Sequence, residues 1–146
     1  MTRRMRKIAG FTLIELVVAM VIAAILASIA IPSYSSYVRK SRRTDAKTAL
    51  LDIASLEERF YSTTNKYSAT PTDLGYTGTF PVTLSGGDYT VNMTAVTQAT
   101  STAPAFFSFT ATAVNDQLND TQCRTMTITS TGVQSASPDN SGACWR

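Results

Sequence analysis

The chain has 146 residues, with 13 lysines and arginines, 10 aspartates and glutamates, two cysteines and no histidine. This length suits one domain with an added N-terminal segment rather than two domains. The lack of histidine excludes His-based catalytic triads and imidazole metal ligands, and two cysteines are too few for a structural zinc site.

The N-terminus combines a short basic stretch with an apolar segment of membrane length. The apolar segment follows Gly10 and extends from Phe11 to Ile31, and Glu15 is its only charged residue. A carboxylate at the centre of a membrane helix costs roughly 2.5–3.5 kcal/mol on insertion scales. We therefore expect Glu15 to have a function. The basic residues before Gly10 are Arg3, Arg4, Arg6 and Lys7.

The stretch from Lys7 to Pro32, KIAGFTLIELVVAMVIAAILASIAIP, resembles the prepilin signature of type IV pilins and of the related pseudopilins of type II secretion. The resemblance implies that a peptidase cuts between Gly10 and Phe11 and methylates Phe11. It also implies that Glu15 pairs with the N-terminal amine of a neighbouring subunit, which would offset the cost of burying the acid. The amine of the same chain, four residues away on one helical face, is the alternative partner.

An ordinary secretory signal peptide, cleaved after Ala30, is the alternative interpretation of the whole segment. Glu15 interrupts the apolar region, and that region is long enough to span a bilayer. The pattern also continues past Pro32 into a second helical stretch. These three features favour the prepilin interpretation.

Removal of the four leader cations leaves nine basic and ten acidic side chains. The net positive charge of the precursor therefore does not predict that the mature chain binds nucleic acid. The leader charges instead predict a cytoplasmic leader and an exported C-terminus.

The residues after Pro32 predict an amphipathic helix that continues the apolar one. The combined helix is expected from about Phe11 to Tyr61. Pro32 lacks a backbone N–H, so we expect a kink there. The apolar positions of the second half are Tyr34, Val38, Ala46, Ala49, Leu50, Ile53, Leu56 and Phe60.

The composition changes after Ser62 to short β-branched and aromatic runs between turn residues. A loop is predicted over 63–80, and strands are predicted over 88–96, 105–114, 124–129 and 133–136. Such a series predicts an antiparallel meander with one face packed on Leu50, Ile53 and Phe60, an α+β arrangement. In an exported chain Cys123 and Cys144 are expected to form a disulfide, with two free thiols as the alternative.

The region after the apolar helix resembles the PilE-type minor pilins of Gram-negative bacteria. The residues that carry this resemblance are Tyr37–Lys47, Glu58–Tyr61, Asn65–Tyr67 and Cys144–Trp145. It implies the type IV pilin fold, with the segment between the cysteines as a surface loop stapled to the sheet. The expected divisions are a leader over 1–10, an apolar helix half over 11–32, an amphipathic half over 33–62 and a head over 63–146.

A basic cluster lies just beyond the apolar segment. It is a candidate for contact with lipid headgroups, for salt bridges with neighbouring subunits, or for contact with DNA phosphates. The acids proposed as salt-bridge partners are Asp45, Asp52, Glu57 and Glu58. The cluster consists of Arg39, Lys40, Arg42, Arg43 and Lys47.

Other features are weaker. Asp116, Asp120 and Asp139 do not have the spacing of a calcium loop, and no metal or cofactor is expected. Phe106, Phe107 and Phe109 are expected to pack in the core or on an edge strand, whereas Tyr76 and Trp145 are candidates for exposed adhesive positions.

The sequence therefore predicts a non-enzymatic subunit of a type IV pilus, of the minor class. Its expected partners are other pilin subunits, prepilin peptidase and the inner membrane before assembly. The alternatives are a DNA-uptake receptor displayed on the pilus and a type II secretion pseudopilin.

Overall fold

The structure is a computed structural model that describes residues 10–138 and 142–146. The chain divides into two compact units. The first is described from Gly10 to Tyr37 and consists mainly of helix. The second runs from Val38 to Arg146 and contains the rest of the helix and a β-sheet.

Helix α1 extends from Leu13 to Thr64. Thr12 precedes its first residue, and its Oγ1 accepts a hydrogen bond of 3.3 Å from the backbone N–H of Glu15. This contact satisfies one of the N–H groups that the first turn of a helix leaves without a partner. The helix begins two residues later and ends three residues later than the sequence predicts.

The apolar part of α1 is exposed along its length in the isolated chain and is long and apolar enough to cross a membrane. Pro32 lies inside the helix, which continues on both sides of it. Directly after Pro32, the Ser33 hydroxyl donates a hydrogen bond of 2.9 Å to the carbonyl of Ile29, one turn earlier in the helix. The bend at Pro32 stays a prediction.

The second unit contains a five-stranded antiparallel meander in the order β1-β2-β3-β4-β5. In β2, β3 and β4 the most buried residues lie mainly at alternate positions, as expected for a sheet covered on one face. A bulge at Thr94 interrupts the pairing of β2 with β3. The strands are β1 Val82–Thr83, β2 Tyr89–Thr97, β3 Phe106–Ala113, β4 Cys123–Thr129 and β5 Gln134–Pro138.

One face of the second half of α1 covers the sheet. Ala46, Leu50 and Ile53 of α1 are buried together with Phe107 and Phe109 of β3. Phe60 packs against this core but is only partly buried. These contacts confirm the predicted α+β class and the helix face that binds the sheet.

Several details differ from the prediction. The sequence pattern does not predict strand β1, since a strand of two residues is too short to show alternation. The predicted loop over 63–80 contains the end of α1 and a short 3-10 helix at Pro71–Leu74. A second 3-10 helix, Asn115–Asn119, follows β3. Phe106, Tyr76 and Trp145 are each half-buried.

Candidate functional site

The predicted processing site is exposed at the start of the described chain. Gly10 and Phe11 precede α1, and a Cβ built on Gly10 meets no atom within 4 Å. Glu15 lies in the first turn of α1, and its side chain is exposed in the isolated chain. A carboxylate there is favourably placed against the positive end of the helix dipole.

The strongest contact of the basic cluster is a buried ion pair within the chain. Arg43 donates two hydrogen bonds to the carboxylate of Asp120, at 2.6 Å and 2.7 Å. The Arg43 side chain is 13% exposed and the Asp120 side chain is 2% exposed. Such a bidentate, nearly dry pair holds α1 to the segment before β4.

Arg42 also pairs within the chain. Its Nε lies 3.1 Å from Asp88, and its Nη1 lies 3.2 Å from Asp116. Arg42 and Arg43, two candidates for DNA contact, therefore bind acids of the head. Asp88, Asp116 and Asp120 are partners that the sequence did not indicate.

The other members of the cluster differ in exposure. Lys40 is exposed, Arg39 is half-buried, and neither side chain has a hydrogen bond or ion pair to a described residue. The Arg39 carbonyl accepts a bond from the Gln117 side chain at 3.2 Å. Lys47 donates from Nζ to the Arg146 carbonyl at 2.9 Å.

A buried polar network surrounds the Arg43–Asp120 pair. Gln117 is fully buried and donates to the Tyr89 hydroxyl and to Asp120, both at 3.1 Å. The Tyr89 hydroxyl in turn donates to the Cys123 carbonyl. Burial raises the pKa of Asp120, but bonds from Arg43 and from the N–H groups of Gln122 and Cys123 outweigh it, and its pKa is lowered overall. Asp120 therefore stays ionised, which maintains the pair.

The disulfide between Cys123 and Cys144 confirms the predicted pairing. Their Cα atoms are 5.7 Å apart, so it holds the C-terminal residues against the start of β4. Arg124 and Arg146 adjoin the two cysteines and are both exposed. Trp145 donates from its indole N–H to the Ser135 carbonyl at 2.9 Å, so it is partly engaged within the head.

Glu57 is a correction to the predicted subunit contacts. It was expected to be available to a neighbouring subunit, but it is fully buried within the chain. Its Oε2 accepts the N–H of Ser68 at 2.9 Å, and its Oε1 has no partner among the described residues. Burial, with added repulsion from Glu58 and Asp73, raises its pKa to about 7. The helical periodicity could have indicated this position, because Glu57 follows Ile53 by four residues.

Two of the three aspartates that were compared with a calcium loop form ion pairs instead. Asp116 and Asp120 bind arginines, and Asp139 lies outside the described residues. Within residues 10–138 and 142–146, no three cysteine or acidic side chains are grouped to hold a metal ion.

Two sequence models of known families match the chain. One, described as a prokaryotic N-terminal methylation motif, matches residues 5–31. The other, described as type IV minor pilin ComP, DNA uptake sequence receptor, matches residues 32–127. The chain belongs to this family of type IV minor pilins. It is therefore a pilin with an apolar N-terminal helix and a prepilin peptidase processing motif, a structural protein rather than an enzyme.

Curated relatives of this pilin include a type IV major pilin and a type IV major fimbrial protein. The type IV major pilin protein PilA of Myxococcus xanthus is 37% identical over 67 residues, covering 46% of this chain and 30% of PilA. The type IV major fimbrial protein FimA of Dichelobacter nodosus is 42% identical over 62 residues, covering 35% of this chain and 39% of FimA. Prepilin peptidase-dependent protein D of Escherichia coli is 56% identical over 41 residues, covering 28% of each chain. The pilin thus spans less than two-fifths of the length of each of these relatives.

Proposed function

We propose that prepilin peptidase cuts this pilin between Gly10 and Phe11 and that Phe11 is then methylated. The match to the methylation motif and the exposed peptide at Gly10 support the assignment. The apolar half of α1 then holds the mature chain in the inner membrane of a Gram-negative bacterium with its head in the periplasm, before the chain joins a pilus at the cell surface. The exposed apolar side chains of this half need lipid or other helices to cover them.

Glu15 is the assembly residue in this proposal. A carboxylate in a dry helix bundle is costly without a cationic partner. The amine that cleavage creates at Phe11 of a neighbouring subunit supplies that partner. The resulting pairing fixes how far adjacent subunits are displaced along the filament.

The head of this pilin has a second proposed role, which is to bind DNA. The observation that carries it is the match of residues 32–127 to a family described as a DNA uptake sequence receptor. Phosphate contacts by lysine and arginine supply most of the affinity of such binding. The binding surface should therefore contain cations that are accessible.

The arginines Arg42 and Arg43 fit this requirement poorly, because each already binds an aspartate. The end of the head that carries the disulfide fits it better. Arg124 and Arg146 are exposed there, and Lys47 reaches the Arg146 backbone. We call Lys47, Arg124 and Arg146 the disulfide-end cations and propose that they contact DNA phosphates. Arg39 and Lys40 remain candidates for contact with anionic lipid headgroups before assembly.

Filter binding of duplex DNA by the full-length pilin in detergent, over a salt series, tests the DNA role. We expect micromolar or tighter binding whose salt slope falls by roughly one for each phosphate-binding cation removed. Arg124→Ala and Arg146→Ala should weaken binding, whereas Arg59→Ala, at an exposed position near the end of α1, serves as the matched control.

Three outcomes separate the possibilities. No binding at micromolar concentrations would reject the DNA role and leave the pilin assignment intact. Loss of DNA binding with Arg59→Ala, but not with Arg124→Ala or Arg146→Ala, would place the DNA-binding surface at the C-terminal end of α1. Loss with Arg42→Ala in a folded protein would restore the basic cluster of α1 as the DNA-binding surface.

A further inference from the structure

The second 3-10 helix, Asn115–Asn119, exposes a large apolar side chain. Leu118 is 52% exposed, and among the described residues of the second unit the other large apolar side chains exposed to a similar degree are Leu51 and Val133. A single exposed leucine is common on a soluble domain and by itself indicates no contact. The position of Leu118 and the charges beside it distinguish it from the other two.

Contacts with α1 hold this 3-10 helix beside the first residues of the second unit. Gln117 donates to the Arg39 carbonyl at 3.2 Å, and Asp116 lies 3.2 Å from Arg42. The second unit begins one residue before Arg39. Leu118 therefore lies at the end of the head that α1 joins to the apolar segment.

The other two exposed apolar residues lie farther from this end. Leu51 follows Arg43 by eight residues, which is about 12 Å along α1. Val133 lies beyond the far end of β4, a strand that begins at Cys123 and is roughly 20 Å long. Leu51 and Val133 are therefore matched controls for Leu118.

The fold holds Leu118 in its exposed position. Gln117 before it and Asp120 after it are both buried, and they are bonded to Tyr89 and Arg43. Mobile segments have few buried contacts and few internal hydrogen bonds. This segment has both, so the exposure of Leu118 is a fixed feature of the head.

An unpaired cation lies at the same level of α1. Lys40 is exposed, and its side chain has no hydrogen bond or ion pair to a described residue. It precedes Arg43 by three residues, about one turn. The exposed acid Asp45 follows Lys40 by five residues, or about 140° of rotation, and so lies on another side of α1. The remaining acids here are bound by arginines, Asp88 and Asp116 by Arg42 and Asp120 by Arg43.

An exposed leucine beside an unpaired lysine suits the interface of a lipid bilayer. Leucine gains free energy when it leaves water for the boundary below the headgroups. Lysine can keep its ammonium group among lipid phosphates while its stem stays in a less polar layer. The membrane is also close, because Arg39 follows the apolar residue Ile31 by only eight residues on a helix able to cross a bilayer.

We propose that Leu118 inserts into the headgroup region of the periplasmic leaflet while Lys40 contacts lipid phosphates. This end of the head then rests on the membrane before the pilin joins a filament. The inference rests on the proposed residence of the mature chain in the inner membrane. It adds an apolar anchor on the head to the lipid contact proposed for Arg39 and Lys40.

A fluorescent probe on the full-length pilin in lipid nanodiscs tests the contact. The dye nitrobenzoxadiazole is attached to one introduced cysteine at a time, in Leu118→Cys, Leu51→Cys or Val133→Cys. The native cysteines are paired with each other and do not react with the dye. In discs of phosphatidylcholine and phosphatidylglycerol we expect the probe at position 118 to show blue-shifted emission, quenching by nitroxide-labelled lipids and protection from iodide. The probes at positions 51 and 133 should stay accessible to iodide.

Lys40→Gln tests the charged part of the contact. Omission of phosphatidylglycerol should reduce the blue shift of the probe at position 118, and Lys40→Gln should abolish this dependence on anionic lipid. Lys66→Gln, which removes an exposed lysine beyond the other end of α1, is the matched control and should preserve the dependence. Trp145 fluorescence reports whether each variant is folded. Asn119→Cys, at the neighbouring exposed position, replaces Leu118→Cys if that variant does not fold.

The outcomes separate this contact from membrane residence itself. Failure of the unmodified pilin to copurify with the discs would overturn both proposals. Copurification with a probe at position 118 as accessible to iodide as the probe at position 133 would overturn the contact alone. Equal protection of all three probes would also overturn it, because the contact would not be specific to this end of the head. Protection of position 118 in sheared filaments but not in discs would overturn it as well, since its partner would be a pilin.

Discussion

Glu57 is a carboxylate that folding removes from water without providing a cation among the described residues. Burial raises its pKa from 4.5 to about 7, and Glu58 and Asp73 add to the shift, while the Ser68 N–H partly opposes it. Between these two values the folded chain holds a proton that the unfolded chain has released. The contribution of this group to stability is therefore complete below about pH 4.5 and is lost as the pH rises through about 7.

We predict that Glu57→Gln removes this pH dependence. Between about pH 5 and pH 8 the free energy of unfolding should fall by roughly 1–3 kcal/mol more for the unmodified chain than for the variant. Urea unfolding of the detergent-solubilised chain measures it, with Trp145, the single tryptophan, as the fluorescent reporter. Asp45→Asn, at an exposed position on the same helix, is the control and should leave the pH dependence unchanged. Equal pH profiles for Glu57→Gln and the unmodified chain would contradict the assignment.

Asp120, unlike Glu57, has a cationic partner, because its carboxylate pairs with Arg43. We predict that Asp120→Ala lowers the free energy of unfolding by about 3–5 kcal/mol, since it leaves a nearly buried guanidinium unpaired. Asp116→Ala removes a carboxylate that is 67% exposed and should cost less than about 1 kcal/mol. The same urea unfolding measurement compares Asp120→Ala with Asp116→Ala. Similar decreases in the free energy of unfolding would mean that burial does not make the Arg43–Asp120 pair more important for stability.

Among the elements, α1 and the hairpins follow from local pattern. Helical periodicity indicated Leu50 and Ile53 as the face that packs on the sheet, and turn residues separated four of the five strands. Strand β1 exists only through its pairing with β2, at Val82 with Val91 and Thr83 with Thr90. Two residues show no alternation of their own, so sequence could not reveal it.

The ion pairs of α1 could not be predicted from the sequence, because their partners lie far apart in the chain. Arg43 and Asp120 are 77 residues apart, and Arg42 and Asp116 are 74 residues apart. The sequence gives the number of charges but not which of them the fold brings together. The basic cluster consequently looked available to a ligand, although two of its arginines hold α1 to the head.

The disulfide links β4 to the C-terminal residues and joins two cysteines that are 21 positions apart in the sequence. We predict that Cys123→Ser with Cys144→Ser lowers the free energy of unfolding by about 3 kcal/mol, chiefly because the unfolded chain gains freedom. A reducing agent should destabilise the unmodified chain by a similar amount and leave the double variant unchanged. If reduction also destabilised the double variant, the effect would not arise from this bond.

The two units of the chain require different surroundings. The second unit has a core of its own, formed by α1 and the sheet. The apolar part of the first unit has none, and its large side chains remain exposed in the isolated chain. Only lipid or other apolar helices can cover this surface, which agrees with a subunit that passes from a membrane into a filament.

Glu15 is the residue on which that passage should depend. We predict that Glu15→Leu leaves cleavage and membrane insertion intact, since an apolar side chain is favourable in lipid. The variant should nevertheless join filaments at least about tenfold less often, because the amine of the neighbouring subunit loses its partner. Immunoblots of sheared filaments and of membranes, normalised to the major subunit, measure both steps. Gly10→Leu is the matched control, since it should accumulate as the uncut precursor. Normal incorporation of Glu15→Leu would mean that apolar packing alone sets the position of the subunit.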